Sequence, residues 1–99
     1  MTLVMDPAGA EMRALKRITN WRGKRVLEVG CGNGRLTLRL AGFSPDKIIA
    51  FDPDPKLIRT AHKNLPEKYK ERIEYRIGNA EHVKQKPNQF DVVVFSWVL

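Results

Sequence analysis

The sequence predicts an α/β domain built on a parallel sheet with flanking helices. Three observations carry that prediction. The run Val26-Leu27-Glu28-Val29-Gly30-Cys31-Gly32-Asn33-Gly34-Arg35-Leu36 reads as a strand, a tight turn and the opening of a helix. Apolar, β-branched runs then alternate with amphipathic stretches along the rest of the chain. Near the end, Phe90-Asp91-Val92-Val93-Val94-Phe95 is apolar at successive positions, as expected of a strand covered on both faces.

Taken in order, Asp6-Pro7 has the form of an N-cap with proline at the first helical position. A helix to about Asn20 follows, with Ala8, Met12, Leu15 and Ile18 as its apolar stripe and Trp21 packing at its end. This N-terminal helix, residues 1–21, precedes a core over residues 22–99. The first strand is Arg25 to Val29. A crossover helix from about Gly34 to Ala41 turns Leu36, Leu40 and Phe43 inward and stops at Gly42. The second strand, Lys47 to Phe51, runs into Asp52-Pro53-Asp54-Pro55, where Asp54 caps the next helix and Asp52 is left free. That helix, Lys56 to about Leu65, aligns Leu57, Ile58, Ala61 and Leu65 on one face and leaves His62 toward solvent. Arg72 to Ile77 alternates, with Ile73, Tyr75 and Ile77 on one side, which predicts a half-exposed edge strand. A short helical stretch opens at Glu81-His82, both read as solvated, before the fourth strand.

Composition narrows the class. Ninety-nine residues, 42% apolar and 29% charged, fit one small globular domain. The single cysteine, Cys31, excludes a disulfide framework and a cysteine-based zinc site, which suits the cytoplasm. The opening Met-Thr-Leu-Val-Met-Asp-Pro has no basic region followed by a long apolar core, so no signal peptide is expected, nor any membrane span. The formal charge is +7, and six of the eighteen cations lie between Arg13 and Arg25. With no arginine-rich run or aromatic ladder, a solvated surface is the preferred reading, and nucleic acid is the less favoured partner.

The three alternating glycines strip side chains from the turn, so a ligand can approach backbone closely, and the amides of Gly32 to Arg35 are expected to face it. A dinucleotide fingerprint requires G-x-G-x-x-G, and here the third glycine comes one residue too early. The stretch instead resembles motif I, E/D-x-G-x-G-x-G, of the class I S-adenosylmethionine (SAM) methyltransferases. The resemblance implies that Glu28, Gly30, Cys31, Gly32, Asn33 and Gly34 shape the site for the amino-acid end of the cofactor. Asp52 ends the second strand, where an acid can accept from both ribose hydroxyls, and the family places its ribose ligand there, with Pro53 against the adenine. Gly78-Asn79-Ala80 stands where the family reads Gly-Asp-Ala, so Asn79 and Ala80 are expected at the adenine, Asn79 without charge assistance. Ser96 falls at the end of the fourth strand, beside the methionine portion. The sequence there, Phe95-Ser96-Trp97-Val98, lacks the (N/D)-P-P-(Y/F) of base-modifying members and resembles those acting on small molecules.

The resemblance implies a Rossmann-like half-domain with sheet order 3-2-1-4, truncated after the fourth strand of a family order 3-2-1-4-5-7-6. The expected function is the SAM- and S-adenosylhomocysteine-binding half of a methyltransferase acting on a small molecule in its complete form. The alternatives are a non-catalytic, self-associating scaffold and a fragment of an RNA-directed enzyme. Neither His62 nor His82 ends a strand, so no catalytic residue is assigned, and no metal is expected. The fourth strand, Val92 to Phe95, is expected to be an unguarded apolar edge, through which a homodimer would form.

Overall fold

The computed structural model describes residues 2–5, 12–79 and 89–96. Eight principal elements follow in chain order: β1 (Thr2–Met5), α1 (Met12–Ile18), β2 (Arg25–Val29), α2 (Arg35–Ala41), β3 (Lys47–Asp52), α3 (Pro55–Lys63), β4 (Ile73–Ile77) and β5 (Val92–Phe95). The sheet runs β1-β5-β2-β3-β4 with every pairing parallel. Its last four strands carry the expected 3-2-1-4 order, with β2 at the centre of the sheet between β5 and β3, and β4 at an edge.

Alternation along the strands divides the interior in two. Val26, Ile48, Ala50, Ile73, Tyr75, Val92 and Val94 face one side, where Leu15 of α1, Leu40 and Ala41 of α2, and Ile58 and Ala61 of α3 cover them. Leu27, Val29, Phe51 and Val93 face the other. Burial on both faces explains why β2 and β5 read as continuous apolar runs rather than alternating ones. Trp21 closes the first cluster, its indole Nε1 donating to the Leu15 carbonyl at 2.8 Å and its ring against Phe43. At the start of the sheet, Asp91 accepts from the Arg25 backbone N–H at 2.9 Å and also pairs with its guanidinium, fixing β5 against β2.

The first strand corrects the sequence reading. Thr2 to Met5 pairs in parallel with Val92 to Phe95, so the β5 edge is occupied rather than open. With β5 paired on both sides, the expected open edge for a homodimer is not there. Three apolar positions also differ from expectation. Ile18 is 45% exposed, Leu57 37% and Ile77 59%. Ile18 and Ile77 are the last residues of α1 and β4, and Leu57 lies in the first turn of α3. The beginning of the N-terminal helix, the stretch at Glu81-His82, and Trp97 onward fall outside the described residues.

Candidate cofactor site

The carboxyl ends of β2, β3, β4 and β5 meet in a web of main-chain bonds. The N–H groups of Gly30 and Cys31 both donate to the Phe51 carbonyl, at 2.8 and 2.9 Å. Ser96 donates through its N–H to the Val29 carbonyl at 3.0 Å and through Oγ to the Gly30 carbonyl at 2.8 Å. Gly78 N–H donates to the Asp52 carbonyl at 3.0 Å. The residues that the sequence spaced far apart are thus tied to one another at a single end of the sheet.

Asp52 is the hub. It is 5% exposed, its Oδ2 accepts from Gly32 N–H at 2.9 Å and its Oδ1 accepts from Asp54 N–H at 2.9 Å. Asp54 caps α3 as expected, accepting from Lys56 N–H at 2.8 Å, but Asp52 is not the free acid that the sequence suggested. A carboxylate has about four acceptor positions, so two bonds leave capacity for a ligand hydroxyl. The Gly32 amide is spent on Asp52, and the Gly34 amide on the Cys31 carbonyl at 3.0 Å. These two amides do not face a ligand, contrary to the reading of the glycine turn.

The glycines do what only glycine does. Gly32 has φ +57° and a Cβ there would meet nothing within 4 Å, so the turn presents bare backbone to open space. Gly34 has φ +88°, and a Cβ on it would overlap the Tyr75 hydroxyl and lie 3.0 Å from Tyr75 Cζ. Asn33 is exposed at the crest, while Cys31 is buried beneath it with its thiol pushed up by burial.

Under the turn lies a polar cluster that the sequence did not reveal. Glu28 is completely buried on the α2 side of β2, and its Oε1 accepts from Thr37 Oγ1 at 2.5 Å. Burial holds its carboxyl above the usual 4.5, opposed by the Thr37 bond and reinforced by nearby Asp52. Tyr75 is buried beside it, and desolvation pushes its phenol up to about 12. Helical spacing places Thr37 one turn from Leu40 and Ala41 on the buried face of α2, a signal that was available. No local pattern aims Tyr75 at Gly34.

A cleft of about 510 Å³ opens beside this network, lined by Val29, Gly30, Asp52, Pro53, Asp54, Leu57, Gly78 and Asn79. Four of the predicted site residues, Gly30, Asp52, Pro53 and Asn79, therefore share one cavity. Ser96 reaches the site through Gly30, Glu28 lies beneath it, and Ala80 falls outside the described residues. The exposure of Leu57 is explained here, since it forms an apolar wall. His62 is exposed on α3, its ring edge-on to Tyr75. Among the described residues no helix is long and apolar enough to cross a membrane.

A parallel sheet with a glycine turn after one strand and an acid ending the next defines a nucleotide-type cofactor-binding α/β domain. A family model described as a methyltransferase domain matches residues 26–99. The chain belongs to that family, the class I SAM-dependent methyltransferases, and covers part of the fold. It is 35% identical over 86 residues to the ubiquinone biosynthesis O-methyltransferase of Azorhizobium caulinodans, covering 87% of this chain and 32% of that protein. It is 29% identical over 85 residues to the tRNA U34 carboxymethyltransferase of Sulfurimonas denitrificans, covering 86% of this chain and 28% of that one. The chain thus spans about a third or less of the length of these relatives. The fold matches that of an RNA methyltransferase from Salinibacter ruber in complex with S-adenosylhomocysteine, with a TM-score of 0.71 at 21% identity over 89% of this chain and 57% of the other.

Proposed function

We propose that this chain is the cofactor-binding part of a methyltransferase and takes SAM, or its product S-adenosylhomocysteine, in the cleft beside Asp52. The single observation that carries the reading is the convergence of Gly30, Asp52, Pro53 and Asn79, from three separate motifs, on one cavity. The residues present fit that ligand. Bare backbone with open space at Gly32 leaves room for its amino-acid end, and the unused acceptor positions of Asp52 suit a ribose diol. Pro53 and Leu57 offer apolar surface for a flat base, and Asn79 a carboxamide for its edge.

When bound, the cofactor supplies an already activated methyl group on a sulfonium. The protein's part is then to hold two partners in line and to keep water away. Asp52 fixes the ligand and the glycine turn together, because the same carboxylate holds Gly32. Ser96 and the buried Glu28–Thr37 pair brace that turn from the other sides. In the complete enzyme the acceptor is a small molecule, a reading supported by the Phe95-Ser96 sequence at the end of β5 and by the name of the ubiquinone-pathway relative. The lone, buried Cys31 supports a cytoplasmic setting.

Nuclear magnetic resonance titration with S-adenosylhomocysteine tests this reading. It predicts that the amides of Gly32 to Gly34, Asp54 and Gly78 shift together in a saturable way. A titration that leaves them unmoved contradicts it.

A further inference from the structure

A second cavity, of about 220 Å³, lies among the C-terminal end of α1, the 19–22 connection and the Gly42–Ser44 turn. These segments lead into the amino ends of β2 and β3, so the cavity sits at the opposite end of the sheet from the cofactor cleft. Five strand residues separate the two ends, roughly 16 Å. Lys16, Thr19, Asn20, Arg22 and Ser44 line it together with the Trp21 and Phe43 rings. No carboxylate does.

Its polar groups are almost all donors, and most are unspent. Among the described residues, the side chains of Lys16, Thr19, Arg22 and Ser44 make no hydrogen bond or ion pair. Asn20 uses only its carbonyl oxygen, accepting from the Arg22 N–H at 3.3 Å, which leaves its amide NH2 available. Ser44 is also the one non-glycine described residue with positive φ, +65°, held there while its carbonyl accepts from Gly23 N–H at 3.1 Å. The ends of α1 and α2 point their carbonyls this way, and each helix end contributes at most about half a negative charge. The full charges of Lys16 and Arg22 outweigh them, and the α2 carbonyls are already met by the N–H groups of Gly42, Phe43 and Ser44.

We propose that this cavity is a phosphate-group subsite, separate from the cofactor cleft, with Lys16 and Arg22 as the charged arms and Thr19, Asn20 and Ser44 as neutral donors. A guanidinium, an ammonium and hydroxyls without a competing carboxylate match the oxygens of a phosphate ester. Either a free phosphorylated molecule or the backbone of a polynucleotide supplies that chemistry. The inference goes beyond the cofactor reading and does not depend on it.

The test titrates the whole chain, by nuclear magnetic resonance and fluorescence anisotropy, with inorganic phosphate, pyrophosphate and a ten-nucleotide single-stranded RNA. The expected result is saturable shifts confined to residues 16–24 and 42–46, the cleft amides staying put. The Lys16→Glu/Arg22→Glu pair is expected to weaken binding at least tenfold while leaving affinity for S-adenosylhomocysteine unchanged. Both side chains are exposed, and Lys16→Ala/Arg22→Ala is the milder check that the fold is intact. If RNA binds more tightly than pyrophosphate, with a log–log salt slope of at least about −1.4 in magnitude for two neutralised phosphates, the source is a polynucleotide. If pyrophosphate binds as tightly as RNA, the source is a free phosphate ester. Shifts scattered over all basic surfaces, or binding unchanged in both double variants, would overturn the proposal.

Discussion

Asp52 accepts a hydrogen bond from the backbone N–H of Gly32 at 2.9 Å, joining the end of β3 to the glycine turn after β2. The same carboxylate holds Asp54 N–H, so one buried acid sets the positions of two loops that border the cleft. The geometry of this end of the sheet therefore runs through one side chain.

Asp52→Ala leaves two N–H groups without their acceptor. Unmet buried donors cost about 1–3 kcal/mol each, and some water reaches this site, so a loss of about 2–4 kcal/mol is expected in urea denaturation. Asp52→Asn keeps one acceptor oxygen and is expected to fall about midway.

The Tyr75 hydroxyl sits where a Gly34 side chain would go. Gly34→Ala therefore meets two penalties, the left-handed backbone at about 1–2 kcal/mol and the overlap with Tyr75. Adding Tyr75→Phe removes the hydroxyl and is expected to recover much of the overlap part, the ring carbon Cζ at 3.0 Å keeping the rest. A double-mutant cycle that shows strictly additive effects would contradict this contact.

Glu28 gives a pH prediction. Its folded carboxyl titrates above the ordinary value of 4.5, so the folded state holds its proton more tightly than the unfolded chain. The stabilisation this provides is complete below about pH 4.5 and is lost as pH rises toward the folded value. Glu28→Gln keeps an oxygen for Thr37 and never ionises. It is expected to be at least as stable as the parent at pH 7, with a flatter profile upward from pH 4.5, read by denaturation at a series of pH values.

Pairing of Thr2–Met5 with Val92–Phe95 covers an apolar edge. Deleting residues 1–5 is expected to expose it and to drive self-association in sedimentation, relative to the intact chain. An intact chain that dimerises through β5 would contradict the pairing.

Most of the fold was legible because its signals are local. Val26 to Leu36 and the two Asp-Pro pairs mark their elements within a few residues, and β2, α2, β3 and α3 stand where those signals put them. β1 was not legible. Four residues carry no periodicity, and their partner lies at the other end of the sequence. The site divides along the same line. Its motifs were readable, but the Asp52–Gly32 bond and the Tyr75–Gly34 contact depend on how strands align side by side, which residue spacing does not encode. Leu57 read as core by helical position, yet it lines the cleft because α3 begins at the cavity rim.

The most direct test is calorimetric titration with S-adenosylhomocysteine of the parent chain and of Asp52→Ala, with NAD as the control. Saturable one-to-one binding that Asp52→Ala weakens at least tenfold is expected, with no binding of NAD. A folded chain that ignores S-adenosylhomocysteine, or that binds NAD in its place, would contradict the cofactor reading.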